Sequence, residues 1–123
     1  MTVNKKAELS LRNGHPWVYG EETTARDPAE NGDIVDVFSE KGTYLGTGFA
    51  SDESKIRVRI LSSNANDVFD ERFWERRVKY ALDYRRTVMK DDFRCCRLVF
   101  GEADGFPGFT VDRFSGILVT QVL

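Results

Sequence analysis

Between residues 33 and 61, apolar and polar side chains alternate at the short period of a β-strand, whereas from residue 69 they recur at the longer period of a helix. Three strands are predicted in the first region. Asp33 to Phe38 is rich in Ile and Val, Tyr44 to Ala50 follows the turn-like Ser39-Glu40-Lys41-Gly42, and Lys55 to Leu61 alternates strictly. Ahead of them a short helix, Lys6 to Arg12, is stopped by Asn13-Gly14, because glycine enters the left-handed backbone that ends a helix at little cost. Pro16 then holds His15 out of helical geometry. The polar residues 21–32, with Pro28 and Asn31-Gly32, read as a loop.

Ser62-Ser63-Asn64-Ala65-Asn66-Asp67 is a polar break, and the pattern changes across it. From Phe69 to about Met89, the residues Phe69, Phe73, Trp74, Val78, Tyr80, Ala81, Tyr84 and Val88 fall within roughly half the circumference of a helix. A strand from Arg94 to Phe100 follows, then a Gly-rich loop from Gly101 to Gly108. A strand from Phe109 to Asp112, a turn from Arg113 to Gly116 and a strand from Ile117 to Leu123 complete the pattern. The fold class is therefore α+β and mainly β: a mixed pseudo-barrel over residues 1–65, and over residues 67–123 a partial α/β domain of one long helix with antiparallel strands. The last strand ends without a cap or polar tail, and the lone helix asks for a wider sheet. The chain is expected to be the front portion of a longer polypeptide.

Composition narrows the class. With 41% hydrophobic and 31% charged residues in 123, the chain is an ordinary globular mixture with room for one domain or two small ones. No apolar run approaches the roughly 20 residues that span a bilayer, and no apolar stretch follows Lys5 and Lys6 as in a secretory signal. Cys95 and Cys96 are adjacent, so in a strand they point to opposite faces and are poorly placed to bridge each other. Reduced thiols and a cytoplasmic location are expected, and without a C-x-x-C pair no metal site is. The net charge of −2 argues against broad electrostatic attraction to nucleic acid. Charge is uneven, however: residues 72–90 hold seven basic side chains against two acidic ones, so any RNA contact must be local and patterned.

Four groups of residues are candidates for chemistry. Lys55, Arg57 and Arg59 occupy alternate strand positions about 6.6 Å apart, a spacing that suits successive phosphates; the alternative is a solvated face paired with Asp52, Glu53 or Glu40. His15 and Trp17 suit stacking on a splayed base, or else Trp17 plugs the barrel. On the long helix, Arg72, Arg76, Lys79 and Arg86 lie opposite the apolar arc, whereas Arg77 and Arg85 fall within or beside it and need partners. Glu102 and Asp104 lie in the Gly101–Gly108 loop, where carboxylates serve as acid and base or, more simply, bond backbone amides or Arg113. Gly46-x-Gly48 is embedded in a strand and opens no helix, so no cofactor cradle is present.

Four motifs in order carry a family resemblance: Lys5-Lys6, Asn13-Gly14-His15-Pro16-Trp17-Val18-Tyr19, Arg57-x-Arg59, and Gly101-Glu102-x-Asp104-Gly105-x-Pro107-Gly108 with Val111-Asp112-Arg113. Together they resemble the bacterial class I S-adenosylmethionine-dependent ribosomal RNA large-subunit methyltransferases that modify cytosine C5. The helix from Ala7 to Asn13 departs from that pattern in being sparse in basic residues. The resemblance implies an N-terminal PUA domain, a central α/β domain and a C-terminal Rossmann-like domain. This chain would contain the first and about half of the second. S-adenosylmethionine and the catalytic cysteine would belong to the part not present, and Cys95 and Cys96 match no catalytic motif.

The expected role is RNA targeting, the partners being ribosomal RNA and the chain's own C-terminal domain. The expected contact set is Lys5, Lys6, Arg12, His15, Trp17, Lys55, Arg57 and Arg59. A secondary set comprises Arg72, Arg76, Arg77, Lys79, Arg85, Glu102, Asp104 and Arg113. No catalytic residue and no cofactor is expected in this chain, and the sequence leaves the oligomeric state open. A stand-alone RNA-binding module and a protein-interaction domain remain the alternatives.

Overall fold

The computed structural model describes residues 1–26 and 28–123, which fall into two compact units, Met1–Asn66 and Asp67–Leu123. The molecule is α+β, with a nearly closed β pseudo-barrel in the first unit and a long helix with a second antiparallel sheet in the second.

The first unit runs β1 (Thr2–Val3), α1 (Lys5–Arg12), β2 (Trp17–Tyr19), a 3-10 turn (Gly20–Glu22), β3 (Thr23–Ala25), β4 (Ile34–Ser39), β5 (Tyr44–Ala50) and β6 (Ile56–Ser62). The strands form one sheet in the order β2-β6-β5-β4-β1-β3, antiparallel except for the parallel pair β1 and β4. β2 and β3 are thus opposite edges of the sheet, yet only Gly20–Glu22 separates them along the chain. Three residues span little more than about 10 Å, so the edges must curl toward each other. Buried Glu22 stabilises this corner, its carboxylate accepting the Tyr19 amide at 3.1 Å and its carbonyl accepting the Asn4 amide at 2.9 Å. Inside lie Val3, Ala7, Val18, Val37, Leu45 and Val58, one inward residue from nearly every element, as strand alternation requires.

Strands β1, β2 and β3 have only two or three residues each, too few to show a period. The reading of residues 21–32 as a loop is therefore corrected: Gly20–Glu22 is a 3-10 turn and Thr23–Ala25 a strand. The part of that reading at Asp27 lies outside the described residues.

The second unit runs α2 (Glu71–Met89), a 3-10 turn (Lys90–Arg94), β7 (Cys95–Phe100), a 3-10 turn (Gly101–Asp104), β8 (Phe109–Phe114) and β9 (Ile117–Val122), with sheet order β7-β8-β9. Asp70 begins α2 by accepting the Phe73 amide at 3.0 Å, which leaves Phe69 outside the helix. Ala81, Leu98, Val99, Phe106 and Val111 form the core, with Trp74, Leu82 and Phe93 packed against it. Leu98 and Val99 are both buried although adjacent, because the register against β8 slips between Arg97 and Val99 and a bulge turns Leu98 inward. The predicted apolar arc is too wide: Phe73 and Ala81 are buried, but Tyr80 is 72% and Tyr84 58% exposed. A three-stranded sheet covers only a narrow stripe of a helix. β8 continues to Phe114, so the turn before β9 is Ser115-Gly116 rather than Arg113–Gly116. No helix is long and apolar enough to cross a membrane, and no cluster of three His, Cys, Asp or Glu suited to a metal ion occurs among the described residues.

Candidate nucleic-acid interface

Alternation along β2 sends Val18 inward, so Trp17 and Tyr19 share the outer face, both half-buried. His15, just ahead of the strand and exposed, places its ring 6.0 Å from Trp17 edge-on and 6.1 Å from Tyr19 in a stacked arrangement. Trp17 pairs across the sheet with Arg59 of β6, whose guanidinium carbon lies 5.7 Å from the centre of the indole ring. The edge strand, the residue pair ahead of it and β6 therefore bring three rings and a guanidinium together. The barrel is plugged by Val18 and Val58, which face each other in register, and not by Trp17.

The three basic residues around β6 do not form a uniform comb. Lys55 precedes the strand, and β2 skips Arg57 in its register, passing from Val58 to Ile56. Arg57 turns back on its own loop, donating from Nη1 to the carbonyls of Ser51 (3.4 Å) and Asp52, with the Asp52 carboxylate at 3.6 Å. Its Nε is buried without a hydrogen-bond partner, against the space a side chain on Gly20 would occupy. Lys55 and Arg57, with Tyr19, Gly20 and Glu21, line a cleft of about 520 Å³.

Helix α1 contributes less free charge than its composition suggests. Glu8 takes both Lys5, at 3.5 Å, and Arg12, at 3.1 Å. Desolvation by itself would raise the Glu8 pKa, but the Arg12 hydrogen bond and the two positive charges outweigh it and hold the carboxyl below its ordinary value. Lys6 is exposed.

In the second unit, the predicted secondary set divides between surface and brace. Arg72, Arg76 and Lys79 are exposed on α2. Arg77 donates to the Gly105 carbonyl and lies 4.4 Å over the Phe73 ring, and burial lowers its pKa from the ordinary value. Arg85 pairs with Asp104 at 2.8 Å and donates to the Arg97 carbonyl at 2.7 Å. Asp104 also accepts the Phe100 amide at 2.7 Å, so its cationic partner is Arg85 rather than Arg113. Glu102 is half-buried in the same turn. Arg113 donates to the Ser115 carbonyl at 3.0 Å and lies 4.9 Å over Phe93.

Sequence reasoning missed Tyr19 and Gly20. Treating residues 17–19 as a strand would have found Tyr19, since it stands two positions from Trp17. Gly20 carries no such signal, because its role is the room it leaves for Arg57.

Comparison with known proteins places this geometry in a family. A protein-family profile described as "PUA-like domain" matches residues 1–63. Ribosomal RNA large subunit methyltransferase I of Klebsiella pneumoniae is 34% identical over 125 aligned positions, covering all of this chain and 31% of the relative. The Enterobacter and Escherichia coli proteins of the same name are each 35% identical, with 32% of their length covered. The chain thus spans about a third of the length of these curated relatives. Among solved structures, a candidate SAM-dependent methyltransferase of Streptococcus mutans aligns with a TM-score of 0.81 at 18% identity, over 98% of this chain and 31% of that one. That likeness is one of fold. Matched along residues 1–63, the chain belongs to the PUA-like domain family.

Proposed function

We propose that this chain is the RNA-targeting front portion of an S-adenosylmethionine-dependent methyltransferase of large-subunit ribosomal RNA, acting in the cytoplasm on a cytosine C5. The observation that carries the reading is the outer face of β2, where Trp17, under the Arg59 guanidinium, stands beside His15 and Tyr19. Every base has a π-face, so exposed rings take unpaired bases, while adjacent cations take the phosphates. The relatives named ribosomal RNA large subunit methyltransferase I support the RNA class. In this reading residues 1–65 are the PUA domain, residues 67–123 open a central α/β domain, and the Rossmann-like catalytic domain lies in further polypeptide.

Fluorescence anisotropy with labelled single-stranded RNA tests it. Arg59→Ala is expected to weaken binding alike for all sequences and to lower the salt slope by about 0.7, the share of one phosphate contact on a single strand. Arg57→Ala should do less, because its guanidinium already serves the Ser51–Asp52 carbonyls. Trp17→Ala should lower affinity roughly tenfold, the scale of one base stack, while costing about 1 kcal/mol of stability from a half-buried outer-face site. A loss of about 3–5 kcal/mol would instead mark the indole as core. Unchanged affinity and slope in the Arg57/Arg59 double variant would remove β6 from the interface.

The residues present do not fit S-adenosylmethionine. A nucleotide-like cofactor needs free amides at a glycine-rich strand-to-helix turn. Here neither helix opens on a glycine-rich turn: α1 starts at Asn4, which caps the Ala7 amide at 3.0 Å, and α2 at Asp70, which caps the Phe73 amide and sets a carboxylate where a cofactor's negative groups would go. Calorimetry of the 123-residue chain against S-adenosylmethionine should register no micromolar binding; a saturating isotherm would place a cofactor seat within these residues.

A further inference from the structure

Two guanidiniums of the second unit converge on one ring. The Cζ of Arg86, from α2, lies 5.5 Å from the centre of Phe93, and the Cζ of Arg113, from β8, lies 4.9 Å from it. The two cations therefore stand within about 10 Å of each other, near the distance at which salt begins to screen them. They come from elements distant in sequence, and the backbone ties the place together. The Ser115 amide donates to the Arg94 carbonyl at 2.7 Å, and Arg113 Nε donates to the Ser115 carbonyl at 3.0 Å. Arg94 is itself exposed.

Asp83, Asp91 and Asp92 bring negative charge to this part of the chain, but little of it is paired with these arginines. Arg86 reaches Asp83 only at 3.8 Å, both side chains being more than half exposed. Arg113 makes no ion pair among the described residues, and neither do Asp91 and Asp92 in the neighbouring turn. The interior-facing arginines of α2, by contrast, are consumed internally: Arg77 by Gly105 and Arg85 by Asp104. Arg86 and Arg113 instead pack on Phe93, and of the Arg113 N–H groups only Nε is given to a carbonyl in the hydrogen bond to Ser115; guanidinium N–H groups left over in this way suit phosphate oxygens. The backbone here is also unusual. Lys90 (φ 49°) and Ser115 (φ 53°) are the non-glycine residues with left-handed φ among those described, and they flank Phe93 and Arg113. Such conformations persist where surrounding structure enforces them, and they concentrate at binding sites.

We propose that Arg86 and Arg113, packed on Phe93, together with the exposed Arg94 that follows it in the chain, form a second contact for the phosphodiester backbone of RNA, on the second unit and separate from the β2 face. It rests on the RNA reading above and adds a position that reading does not include. Unlike the β2 face, it offers no free ring, since guanidiniums occupy Phe93; it therefore adds affinity and salt dependence without base preference.

The test measures anisotropy of a labelled mixed-sequence single-stranded RNA against the full 123-residue chain, across a salt series. Arg86→Ala with Arg113→Ala is expected to weaken binding roughly tenfold and to lower the salt slope by about 1.4, the share of two phosphate contacts. The matching lysine pair, which keeps charge but not the planar fork, should recover most of the slope. In the unaltered chain, added RNA should shift the Arg86 and Arg113 Nε–H signals in nuclear magnetic resonance spectra, a readout independent of how the variants fold. Unshifted signals, or an unchanged slope in a folded alanine pair while the Arg57/Arg59 pair lowers it, overturn the second contact and leave the β2 reading standing. Loss of RNA binding in neither pair overturns both.

Discussion

Gly48→Ala is expected to cost the first unit about 3 kcal/mol, the upper end for overpacking, and so to lower its unfolding midpoint by roughly 15 °C. A Cβ at Gly48 would stand 2.2 Å from the Arg59 carbonyl oxygen, 2.7 Å from its carbonyl carbon and 2.9 Å from the Ile60 Cα. All three are backbone atoms of the partner strand, so no rotamer change relieves the clash. The close approach has a cause in the register. Thr47 faces Ser62 but Gly48 faces Ile60, so Leu61 is an extra residue in β6 and the sheet bends sharply there. Gly46 is a graded control: its Cβ would meet the Ser62 carbonyl at 3.1 Å and the mobile end of Ile60 at 3.3 Å, and a smaller loss is expected. Each unit carries one tryptophan, Trp17 and Trp74. Trp17 emission in a Trp74→Phe background therefore follows the first unit alone. Since the bend holds Arg59 across from Trp17, RNA affinity should fall together with stability. A midpoint indistinguishable from that of the parent chain would show that the two strands separate freely.

How much of this was legible in the sequence depends on the length of each pattern. β4, β5, β6 and α2 each repeat their period several times, and their predicted bounds fall within one or two residues of the observed ones. β1, β2 and β3 exist because neighbouring strands supply their hydrogen bonds, and no local signal marks them. The same limit governs the candidate interface. His15 and Trp17 stand out as residue types, but the Arg59–Trp17 pairing is a cross-strand register and Tyr19 counts only once β2 is known to be extended. Alternation predicted three equivalent cations at residues 55, 57 and 59. A register slip made them three different things: one before the strand, one clamped to its own loop, one over an indole. Bulges are set by where two strands must bend together, which one strand's composition does not encode.

The brace in the second unit was half visible. The helical wheel placed Arg77 and Arg85 near the apolar side, where a guanidinium must find a partner, and the loop at residues 101–108 held the unassigned carboxylates. Their pairing across 19 positions needs the fold. From that pairing, Asp104→Ala is expected to destabilise the second unit by about 3 kcal/mol, the low end for breaking a buried ion pair. Both side chains are 12% exposed, so removing the carboxylate strands the Arg85 guanidinium where water reaches it poorly. It also leaves the Phe100 amide without its 2.7 Å acceptor at the end of β7. Asp104→Asn keeps an oxygen for that amide and loses only the charge, so its cost should be about half. Arg97 and Asp112 provide the contrast: their pair is as short, 2.8 Å, and the Arg97 hydrogen bond holds the Asp112 pKa below its ordinary value, yet the pair faces solvent. Asp112→Asn should therefore change stability little. Combining Asp104→Ala with Arg85→Met should recover part of the loss, because the stranded charge goes with its partner. Urea unfolding followed by Trp74 emission in a Trp17→Phe background measures all four variants on the unit that contains them. Equal, small losses for Asp104→Ala and Asp112→Asn would mean that the Arg85 pair is solvated like any surface pair and does not brace α2 to the β7–β8 connection.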